Sequence, residues 1–98
     1  MKAPSYDLSA LKNHFDSVDK LRMTRTARES AIRLGFDDYE VIEVIQELKK
    51  RDFYKSMSSK KFPAAGKQDV YKTYWQGLYL YIKFQDFYGY IVVSFKLV

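Results

Sequence analysis

Apolar residues recur at helical spacing through the first half of this chain and at strand spacing through the second. Leu8, Leu11, Phe15 and Val18 lie three or four residues apart, which puts them on one stripe of a helix. Thr24 predicts the cap of a second helix, in which Ala27, Ala31 and Leu34 share a face. Gly35 ends it, because glycine tolerates the left-handed conformation that closes a helix. Asp37 and Glu40 are spaced like a capping box and open a third helix. Val41, Val44, Ile45 and Leu48 then point inward, and Glu40, Glu43 and Glu47 outward. Lys49, Lys50 and Arg51 follow at the end of that helix, where cations suit its dipole.

Beyond Arg51 the period shortens to two. Phe53 to Ser58 predicts a strand, and Ser59 to Lys67 a basic loop marked by Pro63 and Gly66. Gln68 to Trp75 predicts a second strand and, after a break at Gly77, Leu78 to Phe84 a third. Gln85 to Gly89 reads as a turn before a fourth strand, Tyr90 to Leu97. Helices followed by consecutive antiparallel strands make an α+β fold: three N-terminal helices packed on a twisted, mainly antiparallel sheet. No repeat, low-complexity tract or linker interrupts residues 1–98, so a single domain is expected.

The last two strands sort their side chains by face. Leu78, Leu80, Ile82 and Phe84 share one face with Ile91, Val93, Phe95 and Leu97 of the next strand. Tyr79, Tyr81 and Lys83 share the other with Tyr90, Val92, Ser94 and Lys96. A polar, aromatic and cationic sheet face can neutralise phosphates and stack bases. It is also what an ordinary solvated sheet surface looks like.

Charge sharpens the choice. Residues 1–50 hold nine basic and nine acidic residues, whereas 51–98 hold eight and three, so the whole net charge of +5 lies in the second half. That half attracts polyanions. There are no cysteines, which excludes disulfides and thiolate metal sites and suits a cytoplasmic location. Met1 to Ser5 leads into polar sequence with no apolar signal region, and the apolar stretches are far short of the roughly 20 residues of a membrane span.

Several chemistries are poorly supplied. His14 is the only histidine, so a two-histidine acid–base mechanism cannot be built within one chain. No His/Cys cluster exists, and the acids of residues 36–48 line helix starts and outer faces, so neither metal nor cofactor is expected. No glycine-rich phosphate loop or nucleophile elbow is present. Thr24 to Leu48 has helix-turn-helix spacing, but Glu40, Glu43 and Glu47 on the second helix would repel DNA phosphates. What remains is lysine, tyrosine and glutamine on strands. RNA supplies its own nucleophile, the 2′-hydroxyl. A protein that aligns it, moves its proton and stabilises the phosphorane needs neither metal nor histidine.

In order along the chain, Asp52-Phe53-Tyr54-Lys55-Ser56-Met57, Gln68-Asp69-Val70-Tyr71, Leu80-Tyr81-Ile82-Lys83 and Ile91-Val92-Val93-Ser94-Phe95-Lys96 resemble successive strand motifs of the motility quorum-sensing regulator (MqsR) toxins. Met23-Thr24-Arg25-Thr26-Ala27 and Leu34-Gly35-Phe36 are similar to that family's helical half. The resemblance implies a RelE-like fold. It also implies a toxin that cleaves single-stranded messenger RNA (mRNA) at GCU-type sites without the ribosome, leaving 2′,3′-cyclic phosphate and 5′-hydroxyl ends. By motif, the catalytic residues it implies are Lys55, Gln68, Tyr81 and Lys96. Lys60, Lys61, Lys67, Lys72, Tyr79 and Lys83 are then expected to contact RNA. It further implies an MqsA-like antitoxin, a zinc-bearing helix-turn-helix DNA-binding protein. Lys55 alternates in phase with Phe53 and Met57, and Gln68 with Val70, so either both faces there are partly covered or a bulge or strand end re-aims these side chains. Two other readings stay open: a non-catalytic RNA- or protein-binding module, and a RelE-like toxin active only in the ribosome.

Overall fold

A computed structural model of the chain describes residues 3–58, 66–87 and 90–98. The helices are α1 (Leu8–His14), α2 (Arg25–Arg33) and α3 (Asp38–Glu47), with short 3-10 turns at Val18–Lys20 and Lys50–Asp52. Four strands follow: β1 (Phe53–Met57), β2 (Gln68–Trp75), β3 (Leu78–Phe87) and β4 (Tyr90–Leu97). They pair antiparallel in chain order, β1-β2-β3-β4. The α+β layout predicted from the periodicity is the one found.

Each helix starts where a side-chain oxygen takes an otherwise unpaired backbone N–H. Asp7 accepts from Ala10 at 3.1 Å, Thr24 from Ala27 at 3.1 Å, and Asp37 from Glu40 at 2.8 Å. Gly35, with φ of 83°, closes α2 as predicted. Val18 does not continue the stripe of Leu8, Leu11 and Phe15, because α1 stops at His14. The Gln46 side chain donates to the carbonyls of Lys12 (2.7 Å) and Phe15 (2.9 Å), which supplies partners for the end of α1 and ties it to α3. Lys49, Lys50 and Arg51 fall after α3, which ends at Glu47, and a 3-10 turn carries the chain into β1.

The helices cover one face of the sheet. Phe15 packs against Phe84 and Phe36 against Phe95, at ring separations of 5.9 and 5.2 Å. Val41, Val44, Ile45 and Leu48 meet Leu80, Ile82 and Val93 in the same buried cluster. At the free side of β4, Thr24 donates to the Val93 carbonyl and Val93 to that of Arg22, so residues 22–24 cover the middle of that edge. The start of the chain is held by Asp69, which is fully buried on the helix side and accepts from the backbone N–H of Ser5 (3.0 Å) and Tyr6 (2.9 Å).

The end of β3 differs from the sequence reading. β3 runs through Gln85, Asp86 and Phe87, which pair with Val92, Ile91 and Tyr90. Polar Gln85 and Asp86 look like turn residues, yet their backbones complete the ladder. Residues 88 and 89 of the predicted turn, and 59–65 of the predicted basic loop, lie outside the described residues.

Candidate active site

The register of the sheet decides which side chains meet on the face away from the helices. Lys72, Tyr81 and Lys96 are direct partners across β2, β3 and β4, forming one row. Lys55, Val70, Lys83 and Ser94 form the next. Met57, Gln68, Gln85 and Val92 form a third. On the other side of the Lys72 row lie Tyr74 and Tyr79.

A bulge settles the phase of β1. Phe53 pairs with Tyr71 and Lys55 with Val70, so Tyr54 is one residue extra. Phe53 therefore packs on the core side, with its ring 5.6 Å from that of Tyr71, while Lys55 joins the outer face. Tyr54 goes with it: the Lys72 amine lies 3.7 Å, and the Lys55 amine 5.5 Å, from the centre of its ring. Gln68 and Val70 share the outer face as their phase requires. Val70 is nonetheless fully buried there, flanked in its row by Lys55 and Lys83, whose aliphatic stems are the natural cover for an apolar side chain on a cationic face.

The outer face of the described strands thus carries four lysines and no carboxylate. Asp69 and Asp86 alternate with Gln68 and Gln85, so their side chains take the opposite side of the sheet. Among the described residues none of the four lysines is in a salt bridge. The Lys96 amine sits 4.8 Å from the centre of the Tyr81 ring. Tyr81 and Lys83 are partly covered, while Lys96 is exposed. Burial first, and then neighbouring Tyr54, pushes the Tyr81 phenol above the ordinary tyrosine range. Burial first, and then the charge of Lys96, holds the Lys83 ammonium below the ordinary lysine range.

The expected site residues fall into an inner pair and an outlying pair. Tyr81 and Lys96 are adjacent. With usual strand spacings, the Lys55 and Gln68 backbones lie about 12 and 14 Å from that of Tyr81. A lysine stem spans much of that gap; a glutamine does not. Gln68 instead donates to the Gln85 side chain at 3.1 Å, and Gln85 to the Gly66 carbonyl at 3.3 Å, making an amide chain at the far end of the face. Gly66 is needed there, since a Cβ would meet the Tyr6 hydroxyl at 2.8 Å and the Asp86 carbonyl at 2.9 Å. Lys72, Tyr79 and Lys83 all lie on the face; Lys67, at its rim, donates to the Ser58 hydroxyl at 2.8 Å. Lys60 and Lys61 lie outside the described residues. Tyr54, Tyr74 and Gln85 join the face without being singled out by the sequence.

Other places are less well equipped. His14 is exposed at the end of α1, its ring edge-on to Phe15 at 4.7 Å. A cleft of about 750 Å³ opens beside the first residues, lined by Pro4, Tyr6, Lys50, Phe53 and Tyr71, but it is mainly apolar and holds none of the expected site residues. Among the described residues no three His, Cys, Asp or Glu side chains gather as metal ligands. No helix of the described residues is long and apolar enough to cross a membrane.

A search of curated proteins finds no match. The family model described as motility quorum-sensing regulator, toxin of MqsA, matches residues 3–97, nearly the whole chain. Its helices, its four-stranded sheet and that match agree: this chain belongs to the motility quorum-sensing regulator family, and is the toxin of a toxin–antitoxin pair.

Proposed function

We propose that the protein is a metal-independent endoribonuclease that cuts single-stranded mRNA at GCU-like sites without the ribosome. The products carry 2′,3′-cyclic phosphate and 5′-hydroxyl ends. A zinc-bearing, helix-turn-helix antitoxin of the MqsA kind neutralises it in the cytoplasm. The observation that carries this reading is the direct cross-strand pairing of Tyr81 with Lys96, at the centre of a face that among the described residues has four lysines and no carboxylate.

The roles follow from charge and position. A phosphorane carries more negative charge than the phosphate it forms from, so fixed cations beside it stabilise the transition state more than the ground state. Lys96 holds its non-bridging oxygens, and Lys72 and Lys55 the flanking phosphates. Tyr81 stays neutral, because its phenol is pushed up, and orders the 2′-hydroxyl by hydrogen bonding. Lys83, whose ammonium is held below the ordinary lysine range by burial and by the charge of Lys96, takes the proton of that hydroxyl in its neutral form. A lysine ammonium of the same face returns a proton to the leaving 5′-oxygen. Gln68, joined to Gln85, orients a base or phosphate farther along the strand.

Purified protein incubated with naked mRNA in EDTA tests this. Cleavage, abolished by the antitoxin, is the expected result. Binding without cleavage points to a non-catalytic module, and cleavage only with ribosomes to a ribosome-dependent toxin; either refutes the proposal.

A further inference from the structure

Tyr74 and Tyr79 are placed unusually for large aromatic side chains. Their rings stack at 4.3 Å with an angle of 12°, yet Tyr74 is 74% exposed and Tyr79 37%. The turn that joins β2 to β3 holds them in place. Gln76 and Gly77 both have positive φ, 48° and 85°, the two-residue turn whose twist matches that of the strands and sets Tyr74 opposite Tyr79. Tyr79 thereby fixes the Tyr74 ring, whose other side faces solvent. The pair is two residues from Lys72 on β2 and two from Tyr81 on β3, one step of about 7 Å along the sheet. The Gln68–Gln85 amides lie beyond Lys83 in the opposite direction.

We infer that the Tyr74–Tyr79 pair is a stacking platform for one unpaired base, that of a nucleotide flanking the GCU-like bases at the cleavage site, and that it accepts all four bases. This rests on the ribonuclease reading above. Every base offers a π-face to a ring, while the phosphates on either side meet the lysines. Charge complementarity favours this occupant over a protein one, since a protein covering the same rings would strip water from lysines with no carboxylate beside them. The platform is also pre-organised: the ring that receives the base is already held, so less freedom is lost on binding. The arrangement gives the face a direction, with base-indifferent stacking at the Tyr74 end and amide hydrogen bonding at the Gln68 end.

The test uses 2′-O-methyl oligomers spanning a mapped cleavage site, which lack the nucleophile, with one abasic position moved along the series. Affinity is read by fluorescence anisotropy. Tyr74→Ala is expected to weaken binding of the intact oligomer about tenfold, within the roughly 5- to 150-fold that loss of one base–aromatic stack produces. One abasic position should weaken the wild type by a similar factor, and there Tyr74→Ala should add nothing. All four bases at that position should bind within about threefold of one another, and Tyr74→Phe should match the wild type. Tyr79→Ala should reproduce the pattern more weakly, and melting curves check that each variant is folded. The inference is overturned by unchanged affinity in both alanine variants, by an equal loss at every abasic position, or by strong selection for one base. It is also overturned if Tyr74→Ala loses antitoxin binding but keeps RNA binding. Cleavage of naked RNA is followed in parallel: cleavage without dependence on Tyr74 sinks the platform alone, whereas no cleavage and no binding sinks the ribonuclease reading with it.

Discussion

Replacing Lys96 by alanine removes one positive charge from the centre of the outer face and little else. The side chain is exposed and, among the described residues, in no salt bridge; its amine lies 4.8 Å from the centre of the Tyr81 ring. An exposed contact of this kind is worth about 0.5–1 kcal/mol. Each kcal/mol shifts the melting temperature of a domain this size by roughly 4–8 °C, so the variant should melt no more than about 8 °C below the wild type. The catalytic term is larger. A charge about 4 Å from the phosphorane contributes about 1 kcal/mol in open water and about 4 kcal/mol at a protein surface from which RNA has displaced the solvent. The upper figure agrees with the roughly 10²–10³-fold loss seen when one preorganised transition-state partner is removed. Single-turnover cleavage of a short RNA, with melting in parallel, is the assay, and Lys49→Ala, an equal charge change before β1, is the control. A folded Lys96→Ala that cleaves within about threefold of that control would refute the assignment, and a drop of only about fivefold would mean that the site stays wet.

Further outcomes follow from the same geometry. Lys83→Arg keeps the charge but not a proton that leaves easily; it should bind RNA within about threefold of wild type, cleave about 10²-fold more slowly and lose the rise of rate with pH that a lysine below its usual range gives, and wild-type cleavage by this variant excludes Lys83 as base. Asp69→Ala leaves the N–H groups of Ser5 and Tyr6 without their acceptor and should cost about 2–4 kcal/mol in urea unfolding, so unchanged stability would contradict the tether. The Tyr71 phenol, pushed up to about 12 by burial and then by Asp69 and Asp7, keeps its proton in the fold after the unfolded chain has lost it near 10. Stability should therefore fall as pH rises from about 10 to 12, by up to about 2–3 kcal/mol, and Tyr71→Phe should escape that loss. Because the Tyr71 hydroxyl is buried without a partner among the described residues, that variant should be no less stable than wild type at neutral pH, and a marked loss there would reveal a partner.

Much of this was legible in the sequence where local spacing carries the signal. The caps at Thr24 and Asp37 and the stop at Gly35 act through neighbours three residues away or their own backbone, so residue type reveals them. The strict alternation of Leu80 to Phe84 and Ile91 to Phe95 gave both faces of β3 and β4, and with them the shared face of Tyr81 and Lys96, whose direct pairing is set by the register. Long-range features were not legible. The phase of Lys55 with Phe53 and Met57 allowed a bulge in β1 but could not place it; it lies at Tyr54 because β1 must keep Phe53 against Tyr71 and Lys55 beside Val70. Asp69 counts as a surface charge until the fold brings Ser5 and Tyr6 to it. Gln85 looks like a turn residue until Gln68 and Val92 flank it. Tyr74 and Tyr79 lie in separate predicted strands, and only the positive φ at Gln76 and Gly77 fixes the register that stacks them.

The central claim is that RNA brings the nucleophile and this face aligns it. One substitution in the substrate tests that directly. A short RNA containing the mapped site is compared with the same RNA carrying a single 2′-deoxynucleotide at the cleaved position, under single-turnover conditions in EDTA. The account predicts that the all-ribose RNA is cut to a 2′,3′-cyclic phosphate end. The deoxy-substituted RNA should bind within a few-fold and not be cut there. Cleavage of the substituted bond at an undiminished rate would contradict it.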